Sequence, residues 1–151
     1  MTDTAEGSLI HHTFAIERRY QAPIDRVFAA WRDPVTKRRW FTDDRGEHTL
    51  DFRVDGLESL RTQGDNGKTL RVESRYVDIV DGQRIVYVTT LSADEMLATT
   101  SITTIELRED GDATVQLLTE SAVFLDGQEQ PSWREQGTGD WLTRLGDTLK
   151  S

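Results

Sequence analysis

Glu120 is the residue whose setting most invites chemistry. It ends the run Leu117-Leu-Thr-Glu120, inside a segment with the apolar composition of a buried strand. If it shares a face with Leu118 it points inward, and a buried carboxylate needs a partner or takes a raised pKa. We expect an arginine or a tyrosine hydroxyl to hold it, the candidates being Arg71, Arg75, Tyr76 and Tyr87. Two interpretations stay open: a paired structural carboxylate, and a group that anchors a ligand or exchanges protons.

Aromatic side chains form the second set of candidates, because a flat amphipathic ring suits the wall of a cavity for an apolar ligand. Trp31 fits the apolar face of a predicted helix and is interpreted as structural. Trp133 stands at the start of another helix. There it lies at the mouth of a cavity, or it packs against the fold and holds the helix end in place. The expected ligand-binding residues are Trp40, Phe52, Tyr76, Tyr87, Glu120, Trp133 and Trp141. For Trp40 and Trp141, helical spacing leaves a role in the core as the alternative.

The three histidines give no metal site. His11 and His12 are adjacent, so on a strand their side chains face opposite ways. His48 stands near acidic residues, but the spacing matches no metal-binding loop, and a solvated acidic loop is the interpretation. The sequence therefore predicts no metal and no cofactor.

Two basic motifs are also interpreted without a ligand. Gly67-Lys68-Thr69 resembles the end of a phosphate-binding loop, but Thr62 stands where that loop needs a glycine, and a strand follows. A hairpin turn is the prediction. A second basic run is interpreted as the solvated face of a short helix; it consists of Arg32, Lys37, Arg38 and Arg39.

Composition narrows the class of protein. The chain has 151 residues, a net charge of −9 and no cysteine, which predicts one domain and excludes disulfides, thiolate metal sites and a cysteine nucleophile. The acidic balance argues against nucleic-acid binding. No apolar run approaches the ~20 residues of a membrane span, and the acidic start lacks the apolar core of a signal peptide, so we expect a cytoplasmic protein. Residues 1–8 are predicted as a tail and 9–151 as the domain.

Turn signals and periodicity predict the elements that must position these residues. Five Asp-Gly or Asn-Gly pairs separate segments rich in Thr, Val, Ile, Leu and Tyr, as in an antiparallel meander. Strands are predicted at 11–20, 47–54, 58–64, 69–79, 84–91, 98–108 and 113–124, and helices at 23–32, 34–40 and 131–149. The predicted fold is α+β, an antiparallel sheet of six or seven strands curved around a long C-terminal helix. Gly137 and Gly139 in that helix indicate a loose first turn or a close approach to a strand or ligand.

Several stretches, in this order, resemble the START-like (SRPBCC) superfamily, in its Hsp90-ATPase-activator-homologue (AHSA1-like) and CalC-like branch. They are Phe14 to Pro23, Val27 to Pro34, Arg39-Trp40-Phe41, Leu50 to Gly56, Arg84 to Tyr87, Leu118-Thr-Glu120, Phe124 to Gly127, and Gly137 to Leu145. The resemblance covers about 12–149. It implies a helix-grip fold with an apolar cavity between the sheet and the C-terminal helix, but not one activity.

The expected function is binding of a small apolar or aromatic molecule in that cavity. One alternative is a cyclase- or hydrolase-like enzyme with Glu120, and Tyr76 or Tyr87, as acid/base groups. Another is a chaperone-linked interaction module, an Hsp90 ATPase activator homologue. The expected partner is a small apolar molecule, with a homodimer left open and neither nucleic acid nor a membrane span expected.

Overall fold

Seven antiparallel strands form one curved sheet, in the spatial order β1-β7-β6-β5-β4-β3-β2. The computed structural model describes residues 7–64 and 66–150. The strands are β1 Leu9–Tyr20, β2 Glu47–Leu50, β3 Leu57–Gln63, β4 Thr69–Val80, β5 Arg84–Ala93, β6 Met96–Asp110 and β7 Ala113–Leu125. Strands β2 to β7 follow one another as a meander, and β1 closes the far edge by pairing with β7.

Three helices complete the fold: α1 Ile24–Arg32, α2 Pro34–Phe41 and α3 Pro131–Leu149. Asp33 separates the first two, because its side chain accepts the backbone N–H of Val35 and caps α2, with Pro34 at the first helical position. The predicted α+β helix-grip fold, with a long C-terminal helix on the sheet, is confirmed.

The turns agree with the Asp-Gly signals except at the β5–β6 turn, and one strand is shorter than predicted. Gly82 and Gly111 have φ of 72° and 62°, the conformation that a tight hairpin requires. The β5–β6 turn instead uses Asp94 and Glu95, at φ of 49° and 70°, and so carries no glycine signal. Strand β2 ends at Leu50, four residues earlier than predicted.

The core lies where α1, α2 and α3 pack on the concave side of the sheet. Leu142, Leu145 and Leu149 of α3 are buried there, and the Tyr20 hydroxyl donates to the Leu142 carbonyl at 2.9 Å. Helix α3 packs most closely on α2 and on the edge strand β1. Space therefore remains between α3 and the concave face of the strands that lie farther from β1.

The remaining predictions concern the termini and membranes. Residues 1–6 of the predicted tail lie outside the described residues, while the Gly7 N–H donates to the Asp126 carboxylate and the Asp126 N–H to the Ser8 carbonyl. In the described part of the chain, no helix combines the length and the apolar character needed to cross a membrane.

Candidate functional site

A cavity of about 1170 Å³ lies between α3 and the concave face of strands β3 to β5. Side chains two residues apart on each strand form its wall, because alternate residues of a strand face the same side. Leu70, Val72 and Ser74 of β4 lie beside Thr89 and Leu91 of β5. The wall is therefore largely aliphatic.

Helix α3 closes the opposite side with residues spaced at helical intervals. Trp133, Gly137 and Trp141 recur every four residues and all line the cavity. Trp141 packs on Phe41 of α2, with ring centroids 4.6 Å apart, while Trp133 is 65% exposed at the mouth. A Cβ at Gly137 would meet no atom within 4 Å, so Gly137 faces open space rather than a strand.

Four polar side chains meet at the α2 end of the cavity, and we call them the Lys37–Glu58 centre: Lys37, His48, Glu58 and Tyr76. The Lys37 ammonium donates to Glu58 Oε1 at 2.8 Å, and the Tyr76 hydroxyl donates to the same oxygen at 2.7 Å. His48 Nε2 lies 2.8 Å from Glu58 Oε2. Lys37 and Glu58 are 1% and 4% exposed, so the ion pair is shielded from bulk water.

Aromatic rings surround the rest of the Lys37 ammonium. Its nitrogen lies 4.7 Å from the ring centroid of Phe41, 5.2 Å from that of Trp31 and 5.9 Å from that of Tyr87. These distances are those of cation–π contacts. The buried charge is therefore compensated by one carboxylate and by several ring faces.

The electrostatics of this centre fix the charge of Glu58. Burial acts to raise the pKa of Glu58, but the charge of Lys37 and the hydrogen bonds from His48, Lys37 and Tyr76 outweigh it and lower the pKa to about 2. Burial, and then the adjacent Glu58 carboxylate, raise the pKa of Tyr76 far above its ordinary range. At neutral pH Glu58 is thus ionised and Tyr76 is neutral.

A second group, the Glu120–Arg134 centre, lies where the start of α3 meets strands β6 and β7. Its members are Thr99, Ser101, Thr103, Glu120, Glu129 and Arg134. Arg134 Nε donates to Glu120 Oε2 at 2.5 Å, and Thr103 donates to Glu120 Oε1 at 3.0 Å. The same guanidinium donates to Glu129 Oε1 at 3.3 Å and to the Ser101 hydroxyl at 3.0 Å.

Tyr87 of β5 lies between the two centres. Burial raises the pKa of its hydroxyl, and the charges of Glu120 and Glu58 raise it further. Burial lowers the pKa of Arg134, but Glu120 and Glu129 outweigh that effect and raise it. The phenol thus stays neutral and the guanidinium charged.

Of the seven residues predicted to bind a ligand, four line the cavity and three lie behind its wall. Those on the wall are Tyr87, Glu120, Trp133 and Trp141. Trp40 is buried in the core, where its Nε1 donates to the Ala30 carbonyl at 3.0 Å. Phe52 packs edge-on against Tyr76, and the Tyr76 hydroxyl is directed to Glu58.

Glu120 faces the interior and is held by an arginine, but the candidate partners were wrong. Arg71 and Arg75 alternate with Val72 and Tyr76 along β4, so they point to the opposite face of the sheet. Arg75 pairs there with Asp55 at 3.0 Å. Arg134 takes the role instead, because its long side chain reaches Glu120 from the first turn of α3.

The interpretation of Lys37 and His48 as solvated was wrong, and Glu58 was missed. Helical spacing was a usable signal, since Lys37 shares the buried face of α2 with Trp40 and Phe41. Strand spacing likewise places Glu58 on the face of buried Leu60. Within residues 7–64 and 66–150, no group of three His, Asp or Glu side chains is arranged to hold a metal ion.

Comparison with protein families gives one match over most of the chain. The model of the family described as Activator of Hsp90 ATPase homolog 1-like protein matches residues 21–150. No curated protein matches the sequence.

Solved structures of several bacterial proteins share this architecture. A protein from Rhizobium loti is 40% identical, with a TM-score of 0.89, and the match covers 94% of this chain and 99% of that one. A protein from Rhizobium leguminosarum is 35% identical, with a TM-score of 0.91 over 95% and 97% of the two chains. CalU16 from Micromonospora echinospora, at 21% identity and a TM-score of 0.67 over 94% and 83%, shares the fold.

Proposed function

This chain belongs to the Activator of Hsp90 ATPase homolog 1-like family, and within that family we propose that it binds a small, mainly apolar or aromatic molecule. The observation that carries the proposal is the cavity of about 1170 Å³ under α3. Small-molecule sites are concave, mostly apolar and supplied with a few fixed polar groups. Leu70, Val72 and Leu91 supply the apolar wall, and the two buried centres supply the polar groups.

The proposed ligand contacts are Tyr87, Glu120, Trp133 and Trp141. Trp141 offers its ring to an apolar ligand, and Trp133 covers the mouth. Trp40, Phe52 and Tyr76, which lie behind the wall, support the site by fixing α2 and the sheet around it. A cytoplasmic location and a homodimer stay predictions.

The enzyme hypothesis has less support from the geometry. Both carboxylate oxygens of Glu120 already accept hydrogen bonds, from Thr103 and from Arg134. A general acid or base exchanges its proton with the ligand, whereas here neighbouring side chains already engage both oxygens. The interaction-module hypothesis expects a collapsed cavity, whereas this cavity is open.

The test uses tryptophan fluorescence and thermal unfolding with a panel of apolar aromatic ligands. A bound ligand quenches Trp141 and raises the melting temperature, because it stabilises only the folded state. The cavity-filling variant Gly137→Phe is expected to abolish both effects. Gly139→Phe is the matched control, because Gly139 lies on the side of α3 away from the cavity.

Two outcomes would count against binding. One is a panel that neither quenches fluorescence nor raises the melting temperature of the wild-type protein. The other is equal loss of binding in Gly137→Phe and Gly139→Phe. Mass spectrometry of molecules that co-purify with the protein then identifies the natural ligand.

A further inference from the structure

The buried charges around the cavity do not balance. Three carboxylates, those of Glu58, Glu120 and Glu129, face two cations, Lys37 and Arg134. All five side chains line the cavity. At the start of α3 two of these carboxylates, Glu120 and Glu129, share the single cation Arg134, so the Glu120–Arg134 centre carries one excess negative charge.

Neither buried cation is available to an anionic ligand. The Lys37 ammonium is engaged with Glu58 and lies over aromatic rings that shield it. The Arg134 guanidinium donates to Glu120, to Glu129 and to Ser101. An anion placed here would meet two flanking carboxylates beside an arginine whose charge they already neutralise.

The carboxylates, in contrast, retain accepting capacity. An ionised carboxylate offers about four lone-pair positions. Glu129 accepts from Thr99 at 2.5 Å and from Arg134 at 3.3 Å, both at Oε1. Among the described residues no hydrogen bond uses Oε2, and the side chain is 16% exposed on the cavity wall. A donor from a ligand can therefore reach it.

Lys37 shows how this protein accommodates a buried ammonium. One carboxylate accepts a hydrogen bond from it, and aromatic faces surround the remainder of the charge. The same two components occur at the other end of the cavity, where Glu120 and Glu129 lie near the start of α3 and Trp133 and Trp141 project from that helix. There, however, the two carboxylates share one cation, Arg134.

The titration behaviour of nearby groups agrees with a negative interior. Burial lowers the pKa of Arg134 and raises that of Tyr87. Beyond burial, the carboxylates raise the pKa of Arg134, and Glu120 and Glu58 raise that of Tyr87. Positive side chains at the rim include Arg39, Lys68 and Arg144, but these are exposed, so water and salt screen them.

We propose that the polar end of the ligand is a protonated amine, held by Glu120 and Glu129 while its apolar body fills the cavity. This rests on the proposed binding function and names the class of ligand for it. A charge-assisted hydrogen bond to one of these carboxylates, together with the ring faces nearby, selects an ammonium over a hydroxyl and over a carboxylate.

The test compares three compounds with one apolar body: naphthylethylamine, naphthylethanol and naphthylacetate. Isothermal titration calorimetry at neutral pH is expected to give the order amine, alcohol, carboxylate, with the amine about tenfold or more tighter than the carboxylate. In Glu129→Gln the amine loses most of this advantage and the alcohol is little affected. Glu120→Gln is the second variant, and its folding is checked by thermal unfolding.

The variant Glu106→Gln is the control for a general attraction of amines to an acidic protein. Glu106 is exposed on the opposite face of the sheet, so this variant makes the same change in net charge outside the cavity. The proposal is overturned if the carboxylate binds as tightly as the amine, or if Glu106→Gln acts like Glu129→Gln. Equal binding of all three compounds would overturn the proposal that the ligand is an amine and leave the binding function intact. If none of the compounds binds, both proposals are contradicted.

Discussion

The Lys37 ammonium and the Glu58 carboxylate form a salt bridge of 2.8 Å in which neither side chain is more than 4% exposed. Lys37 comes from α2 and Glu58 from β3, so the pair fastens a helix to the sheet beside the cavity. Removing two charges from water costs several kcal/mol for each, and only good geometry with further hydrogen bonds offsets it. Tyr76 and His48 supply those further bonds.

Replacing Glu58 alone is therefore expected to be severe. In Glu58→Gln the Lys37 charge stays buried without its counter-ion, which should lower the free energy of unfolding by about 3–5 kcal/mol. Urea unfolding measures this. Glu73→Gln, on the exposed face of the neighbouring strand β4, should change stability by less than about 0.5 kcal/mol.

A double variant separates the pair from its surroundings. If the cost in Glu58→Gln comes from the uncompensated ammonium, adding Lys37→Met restores part of the lost stability. Additive losses in the double variant would mean that the two side chains do not depend on each other, contrary to the structure.

The low pKa of Glu58 also predicts acid sensitivity. Its ordinary value is 4.5 and its folded value about 2, so its contribution is fully present above pH 4.5 and is lost as pH falls toward 2. The contribution is on the order of 3 kcal/mol. Urea unfolding of the wild type between pH 5 and about 2.5 should show this loss, while Glu58→Gln shows a shallower dependence. Parallel curves for the two proteins would contradict the assignment.

Sequence patterns predicted the sheet and helices well because those elements follow local rules. Alternation and Asp-Gly turns marked the strands, and the i, i+4 stripe marked α3. The site was predicted less well, because its polar centres join residues distant in sequence. Glu120 was recognised from its apolar neighbours, but Arg134 becomes its partner only when α3 packs into the fold, and no local pattern specifies that packing.

Lys37 illustrates a different difficulty. It stands in a run of basic residues, and such a run is usually solvated, yet helical spacing puts it on the face of Trp40 and Phe41. Charge composition and periodicity pointed in opposite directions, and periodicity was the better guide. Trp40 was predicted to bind the ligand but lies in the core. Its aromatic character suits a cavity wall as well as a core, and only packing decides between them.

The three tyrosines predict behaviour at the alkaline end. Burial raises the pKa of Tyr20, Tyr76 and Tyr87. Because the folded values lie above the unfolded one of about 10, the neutral phenols stabilise the protein below pH 10 and this stability is lost as pH rises further. The phenolate absorbance should therefore appear together with unfolding in one step. A gradual phenolate titration near pH 10 with the far-ultraviolet circular dichroism unchanged would contradict the burial.

Two glycines of α3 predict different responses to the same substitution. Gly137→Ala should raise stability by up to about 1 kcal/mol, because alanine has the higher helix propensity and its Cβ meets nothing within 4 Å. Gly146→Ala gains the same propensity, but its Cβ would lie 3.2 Å from the Tyr20 ring, so it should gain less or lose stability. Thermal unfolding of both variants measures the difference, and a larger gain in Gly146→Ala than in Gly137→Ala would contradict the open space at Gly137.

Trp141 is expected to contribute directly to ligand binding. Its ring lines the cavity and packs on Phe41 at 4.6 Å, so a ligand in the cavity contacts an aromatic surface held in place from behind. Trp141→Ala removes that surface and should weaken binding of an apolar aromatic ligand by more than about 1 kcal/mol. Titration calorimetry with naphthylethanol, the uncharged member of the series, measures this loss apart from any effect of charge.

Loss of stability must be distinguished from loss of contact, because Trp141→Ala also removes packing on Phe41. Leu145→Ala, one turn later on α3, serves for this comparison: Leu145 is fully buried in the core and does not line the cavity. It should lower the free energy of unfolding by about 2–5 kcal/mol. At a temperature where both variants remain folded, Leu145→Ala should keep wild-type affinity while Trp141→Ala does not. If both lose affinity in proportion to stability, Trp141 supports the fold rather than the ligand.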